Sequence, residues 1–305
     1  MVRHLVSIMD MKNCLEEIID FAIDIKTNPS KYKDSMDSCS LGMIFEKSST
    51  RTRVSFEVAM TQLGGHALFL SPKDLQIGRG ETIADTARVL SRYLDCIMYR
   101  AFDYKNVEEL ALHSEIPVIN GLDNREHPCQ IVADLMTVKE RFTNLKGLKM
   151  VYVGDGNNVC HSLLLGGAMQ GMNVVANCPK NYHPWKEIVD KATMLAEETG
   201  GSVKIIEEPL EACIDADVIY TDVWVSMGDE KEEEEREKAF MKYQVNEKLV
   251  EVASNDCIVL HCLPAHRGME ITDEVIDGEH SAAWDQAENR MHAQKAIILD
   301  LYKNE

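Results

Sequence analysis

Six consecutive residues, Ser48-Ser49-Thr50-Arg51-Thr52-Arg53, place hydroxyl and guanidinium donors between an apolar run, Leu41–Phe45, and a helix-like stretch, Val54–Leu63, that stops at Gly64-Gly65. A strand that feeds such groups into a helix start builds a seat for an anion. The first backbone N–H groups of a helix lack intrahelical acceptors, and the positive end of the helix dipole points the same way. Hydroxyls add donors, and an Arg grips a phosphate through two parallel hydrogen bonds. One Ser or Thr at such a point needs no more than N-capping to explain it. Three hydroxyls with Lys47, Arg51 and Arg53 point to phosphate.

The elements that would position these groups are short apolar runs alternating with amphipathic stretches. The runs are Met43–Phe45, Ala67–Leu70, Cys96–Tyr99 and Pro117–Asn120, then Met150–Val153, Val174–Asn177, Val203–Ile206, Val218–Tyr220 and Ile258–His261. This alternation predicts parallel strands covered by helices on both faces. Ile131–Phe142 reads as a helix that ends near Leu145-Lys-Gly147, which puts a domain junction there, with four strands before it and five after. A second long helix is expected over Trp284–Leu301, and Lys231–Glu237 reads as a solvated helix face or loop. The predicted architecture is α/β, two domains of 1–143 and 144–284, each a parallel sheet flanked by helices. In such sheets ligands bind beyond the carboxyl ends of the strands. Polar clusters follow the strands repeatedly: Arg100, then Asp123–Gln130, Asp155–Asn158, Asp222–Gly228 and His261–His266. A cleft between the two sheets would gather them into one active site.

Composition bounds the function. The 305 residues, 45% apolar and 27% charged, suit an ordinary globular protein of about two domains. No run of about 18 apolar residues occurs, so no membrane span is expected. The first ten residues lack the apolar core of a signal peptide. A net charge of −19 argues against a nucleic-acid partner and makes the basic cluster at 47–53 stand out. Nine scattered cysteines without a C-x-x-C fit reduced thiols in the cytoplasm. The ten histidines show no ligand spacing, and neither metal nor cofactor is expected.

Five segments in order resemble the carbamoyltransferases. Ser48–Arg53 and His127-Pro-Cys-Gln130 resemble the carbamoyl-phosphate motifs of the wider family, the aspartate enzymes included. Gly154-Asp-Gly-Asn-Asn158 with His161-Ser162, Asp222-x-Trp-x-Ser226-Met227-Gly228, and His261-Cys262-Leu263-Pro264 are similar to the ornithine enzymes. The resemblance covers nearly the whole chain. It implies two α/β domains, a C-terminal helix (285–305) that returns to the first, and a homotrimer or a multiple of it. It implies transfer of the carbamoyl group from carbamoyl phosphate to L-ornithine, giving L-citrulline and phosphate, by attack of the neutral side-chain amine without a covalent enzyme intermediate. Residue by residue, it implies that Ser49, Thr50, Arg51 and Thr52 hold phosphate, with Gln76 closing that site. Arg100, His127 and Thr52 would face the carbonyl oxygen. Gln130 and the Leu263 carbonyl would take the carbamoyl NH₂, and Arg290 would complete the donor contacts. Asn158, Asp222, Ser226 and Met227 would bind ornithine, Asp222 through the ammonium and Asn158 through the carboxylate. Cys262 would handle the proton of the reacting amine.

Three rival readings stand beside this one. Val153-Gly-Asp-Gly-Asn-Asn158 resembles a dinucleotide-binding turn, but Val159 stands where the third glycine belongs and the next strand ends in Asn177-Cys178-Pro179, without a ribose-binding acid. Another acceptor, such as aspartate, putrescine or a substituted ornithine, would need different second-half motifs. A silent homologue would lack a polar site residue, and none of the expected ones is missing. The same residues serve arginine synthesis and its reversal, since both directions share a transition state.

Overall fold

The computed structural model describes residues 2–71, 73, 75–77, 80–225 and 233–303. Among them nine strands form two sheets, all pairings parallel. The chain divides into two compact units, Met1–Met136 with Asn289–Glu305, and Thr137–Glu288.

In the first unit β1 (Ser40–Phe45), β2 (His66–Leu70), β3 (Cys96–Arg100) and β4 (Val118–Leu122) lie in the order β2-β1-β3-β4. The helices are α1 (Leu15–Thr27), α2 (Thr50–Gln62), α3 (Ile83–Leu90), α4 (Tyr104–His113) and the start of α5 (Pro128–Phe142). Strand β3 is buried along its whole length and β1 from Leu41 onward, which is why both read as unbroken apolar runs; the edge strand β2 is largely exposed. Ile44, Ile97, Tyr99, Leu110 and Val118 form part of one core. Strand order reverses after β2, so the switch point lies between β1 and β3, where ligands of open parallel sheets bind. Register sets Phe45 level with Arg100, and Arg100 level with Leu122. The residues after β1, β3 and β4 therefore emerge at one end.

Helix α2 begins inside the hydroxyl run. Ser49 is extended (φ −160°, ψ 115°) and its side chain accepts from the Thr52 N–H. The helix ends where Gly64 takes φ +90°, a conformation glycine adopts without a steric penalty.

The second unit holds β5 (Lys149–Val153), β6 (Asn173–Asn177), β7 (Ser202–Ile205), β8 (Val218–Thr221) and β9 (Ile258–His261), in the order β7-β6-β5-β8-β9. Its switch point lies between β5 and β8. Around the sheet run the rest of α5, α6 (Asn158–Met169), α7 (Lys186–Thr199), α8 (Pro209–Cys213), α9 (Glu233–Phe240), α10 (Glu247–Glu251), α11 (Asp273–Ile276) and the start of α12 (Ala283–Lys303). Val151, Val153, Ile219, Trp224, Phe240 and Val259 belong to its core.

All nine apolar runs are strands, as the sequence predicts. The later part of α12 belongs to the first unit, where Lys295 bonds Gln62 of α2, and Asn289 takes a 2.8 Å hydrogen bond from Lys26 of α1. One expectation changes: the acidic tract is not simply solvated. Arg236 on α9 is buried against Asp155 (2.9 Å) and the Trp224 carbonyl (3.1 Å), with its guanidinium over the Tyr182 ring.

Candidate active site

In the first unit two guanidinium groups converge on one hydroxyl. Arg290 donates to Thr52 Oγ1 at 2.8 Å and Arg100 at 3.4 Å. Arg100 ends β3, Thr52 stands in the first turn of α2, and Arg290 arrives 238 residues later on α12. Thr52 is fully buried, and both Arg side chains nearly so. A hydroxyl has two acceptor positions and one proton. Thr52 receives one guanidinium on each acceptor position, so the proton is what it has left to give. Ser49 uses its oxygen on the Thr52 N–H at 3.2 Å. The α-helical pattern leaves the N–H groups of Thr50 and Arg51 without intrahelical acceptors, ready for an anion. Arg51 is half-buried and Thr50 exposed there.

His127 precedes α5, and its carbonyl accepts from Gln130 N (3.0 Å) and Ile131 N (3.3 Å); Pro128 follows at the first helical position, where a missing N–H costs nothing. Burial, then the positive charges of Arg290 and Arg100, hold the His127 ring well below its ordinary pKa. It is a neutral imidazole at pH 7, a form that can offer an N–H without giving up the proton. Gln130 lies one turn on. Its Nε2 donates to Asp134 Oδ1 at 2.7 Å, and its buried Oε1 has no partner among the described residues. The group thus offers donors from Thr52, Arg100 and His127, and one acceptor in wait on Gln130. That is the complement of a carbonyl bearing an NH₂.

In the second unit Asp222, just after β8, is held from three elements. Its Oδ1 accepts from the Val223 N–H (2.8 Å) and the Cys262 thiol (3.0 Å); its Oδ2 accepts from Asn157 Nδ2 (3.1 Å). Asn157 also caps α6, its Oδ1 accepting from Val159 N and Cys160 N. Asn158 opens α6 partly exposed. The Cys262 thiol is thereby spent as a donor to the Asp222 carboxylate. Leu263 adopts φ +60°, a costly conformation for a branched side chain, and its N–H is pinned by His261 Nδ1 at 2.9 Å. His261 Nε2 in turn meets the buried Glu270 at 3.0 Å.

Asp222, His261 and Cys262 each bring one ligand atom within 4.8 Å of the others, the spacing of a metal set. The bonding argues against that use: both His261 ring nitrogens are engaged and the thiol is spent on Asp222. The glycine-rich turn after β5 has a packing cause. Gly156 donates to the Tyr182 carbonyl at 2.9 Å, and a Cβ on it would lie 2.2 Å from Pro184 N.

The expected residues thus fall into two groups, Ser49–Thr52, Arg100, His127, Gln130 and Arg290 in one unit, and Asn158, Asp222, Cys262 and Leu263 in the other. Gln76 is exposed, its backbone carbonyl accepting from Glu81 N at 3.4 Å. Ser226 and Met227 lie outside the described residues. His266 and Arg267 are exposed, Arg267 pairing with Asp273 and Asp277. Sequence reasoning missed Asn157, Asp134 and Arg236. The signal for Asn157 was present, as an Asn at a helix start.

Two family models match. The carbamoyl-phosphate-binding domain of aspartate/ornithine carbamoyltransferase covers residues 3–140, and the aspartate/ornithine-binding domain of the same family covers 146–301. A catabolic ornithine carbamoyltransferase of Thermoplasma volcanium is 55% identical over 299 residues, 98% of each chain. An ornithine carbamoyltransferase of Picrophilus torridus is 55% identical over 302 residues, 99% of each chain. The solved ornithine carbamoyltransferase of Pyrococcus furiosus matches at 53% identity and a TM-score of 0.93, covering 97% of this chain and 96% of that one. With both family domains matched in order over two parallel-sheet units that carry these side chains at their switch points, the chain belongs to the aspartate/ornithine carbamoyltransferase family.

Proposed function

We propose that the protein is an ornithine carbamoyltransferase: carbamoyl phosphate plus L-ornithine gives L-citrulline plus phosphate. The observation that carries this is the Thr52 hydroxyl gripped by Arg100 and Arg290 beside a neutral His127 and the waiting Gln130 oxygen. The relatives named ornithine carbamoyltransferase support ornithine as the acceptor.

In this reading the phosphate sits on the start of α2, held by the N–H groups of Thr50 and Arg51, the hydroxyls of Ser49 and Thr50, and the Arg51 guanidinium, while the one proton of the Thr52 hydroxyl goes to the carbonyl oxygen. Arg290 completes the donor contacts. Gln76, exposed on its loop, closes the phosphate site, and its exposure suits service to a neighbouring protomer of a homotrimer. Ornithine meets Asp222 through its ammonium and Asn158 through its carboxylate, with Ser226 and Met227 on the same substrate. The side-chain ammonium loses one proton before attack, since a protonated amine has no lone pair to share. The Asp222–Cys262 pair, with one net negative charge, supports that loss. The neutral amine then forms a C–N bond to the carbamoyl carbon. Charge moves onto the carbonyl oxygen, where Thr52, Arg100 and His127 meet it with fixed donors. Gln130 and the Leu263 carbonyl hold the NH₂. The C–O bond to phosphate breaks, and the second amine proton leaves with the phosphate. The chemistry needs no cofactor, and the thiols fit a reducing cytoplasm.

The test is incubation of the purified protein with carbamoyl phosphate and ornithine. The reading expects citrulline and phosphate in equal amounts. Phosphate release without citrulline would overturn the assigned acceptor.

A further inference from the structure

We infer that Asp134 is a positioning residue that sets the donor specificity of the first unit, by fixing which end of the Gln130 amide is presented to substrate. The inference rests on the donor reading above and goes one step beyond it. Gln130 and Asp134 stand at i and i+4 on α5, so they share one face of the helix, which His127 immediately precedes. Gln130 and Asp134 are each 1% exposed. The two ends of a primary amide have nearly the same shape and opposite hydrogen-bonding sense. Sterics therefore do not choose between the two orientations; the partner does. Gln130 Nε2 donates to Asp134 Oδ1 at 2.7 Å, and a carboxylate oxygen can only accept. The NH₂ end is held on Asp134, and Oε1 is turned away from it, buried and without a partner among the described residues.

An orphaned buried carbonyl is a standing cost that an incoming hydrogen-bond donor relieves and a methyl does not. The terminal NH₂ of carbamoyl phosphate is such a donor. The methyl of acetyl phosphate, equal in size and attached to the same phosphate and carbonyl, is not. A site built to hydrogen-bond a substrate N–H rejects the analogue that lacks it. Without the Asp134 carboxylate the Gln130 amide can turn, and donor then faces donor.

The experiment compares wild type with Asp134→Asn, reading KM and kcat for carbamoyl phosphate and the competitive Ki of acetyl phosphate. Asp134→Asn should raise the carbamoyl-phosphate KM by about tenfold or more with a smaller change in kcat, and leave the acetyl-phosphate Ki within about threefold. Damage to the fold alone would move both constants together, so a parallel rise overturns the inference, as does an unchanged KM. Should Asp134→Asn fail to fold, the wild-type protein still decides: acetyl phosphate must bind at least about tenfold more weakly than carbamoyl phosphate, and equal affinity overturns the inference. A wild-type protein that forms no citrulline would instead remove the reading beneath it.

Discussion

Thr52→Val is the perturbation that isolates one hydroxyl. The two side chains have nearly the same outline, so little besides Oγ1 is lost at this fully buried position, and Arg290 and Arg100 lose that acceptor. Two hydrogen bonds go with it, a short one from Arg290 at 2.8 Å and a long one from Arg100 at 3.4 Å. The long bond lies at the edge of useful geometry, so most of the effect comes from the short one and from the lost proton donor. A hydrogen bond to a charged group contributes roughly 1.5–3 kcal/mol. The loss of transition-state stabilisation should be about 2–3 kcal/mol, roughly 30- to 150-fold in kcat/KM for carbamoyl phosphate. Citrulline formation at saturating ornithine reads this out, with thermal unfolding followed in parallel. Thr52→Ser keeps the hydroxyl and should stay within about fivefold of wild type. A Thr52→Val protein that folds and keeps kcat/KM within about threefold would refute the reasoning, because the hydroxyl would then be no part of the donor site.

Asp222→Asn removes the negative charge and keeps the shape. It should lower kcat/KM for ornithine by about a hundredfold while carbamoyl-phosphate binding, measured by calorimetry, stays near wild type; equal losses for both substrates would contradict the assignment. Cys262→Ala takes one donor off the Asp222 carboxylate, so turnover should fall about tenfold and the alkaline limb of the pH profile should move; an unchanged rate and profile would return Cys262 to packing. Glu126 predicts a pH dependence of stability. Burial pushes its carboxyl up from an ordinary 4.5 to about 7, against hydrogen bonds from Ser7 Oγ and Ile8 N that favour the charged form. A raised carboxyl binds its proton more tightly in the folded chain. The stability it contributes is therefore fully present below pH 4.5 and is lost as pH rises to about 7, by about 3 kcal/mol in all. Urea unfolding across that window should show the slope in wild type and a flatter one in Glu126→Gln; parallel curves would contradict the assignment.

The fold was legible because its signal is local. Runs such as Met150–Val153 and Ile258–His261 are apolar on consecutive residues because both faces of the strand are covered, and that pattern needs no knowledge of distant chain. The cap at Ser49 and the stop at Gly64 were local too. The partners of the site residues were less legible. Arg290 meets Thr52 across 238 residues, Arg236 meets Asp155 across 81, and Asn157 meets Asp222 across 65. Nothing in the periodicity of α9 separates a solvated Arg from one that is buried against Asp155. Asn157 was overshadowed by Asn158, since a cap and a ligand use the same side chain and only the structure shows which neighbour bonds Asp222. Asp134 carries no motif signal in the sequence; the structure shows it taking the Gln130 amide N–H at 2.7 Å.

The central claim is that donor and acceptor groups of one carbamoyl transfer are carried by the two units of this chain. The most direct measurement supplies carbamoyl phosphate with a panel of acceptors, L-ornithine, L-aspartate, putrescine and N-acetylornithine, and quantifies each carbamoylated product. The account predicts citrulline from ornithine at a kcat/KM far above any other product. Carbamoyl-aspartate or carbamoyl-putrescine as the main product, or no product from ornithine, would contradict it.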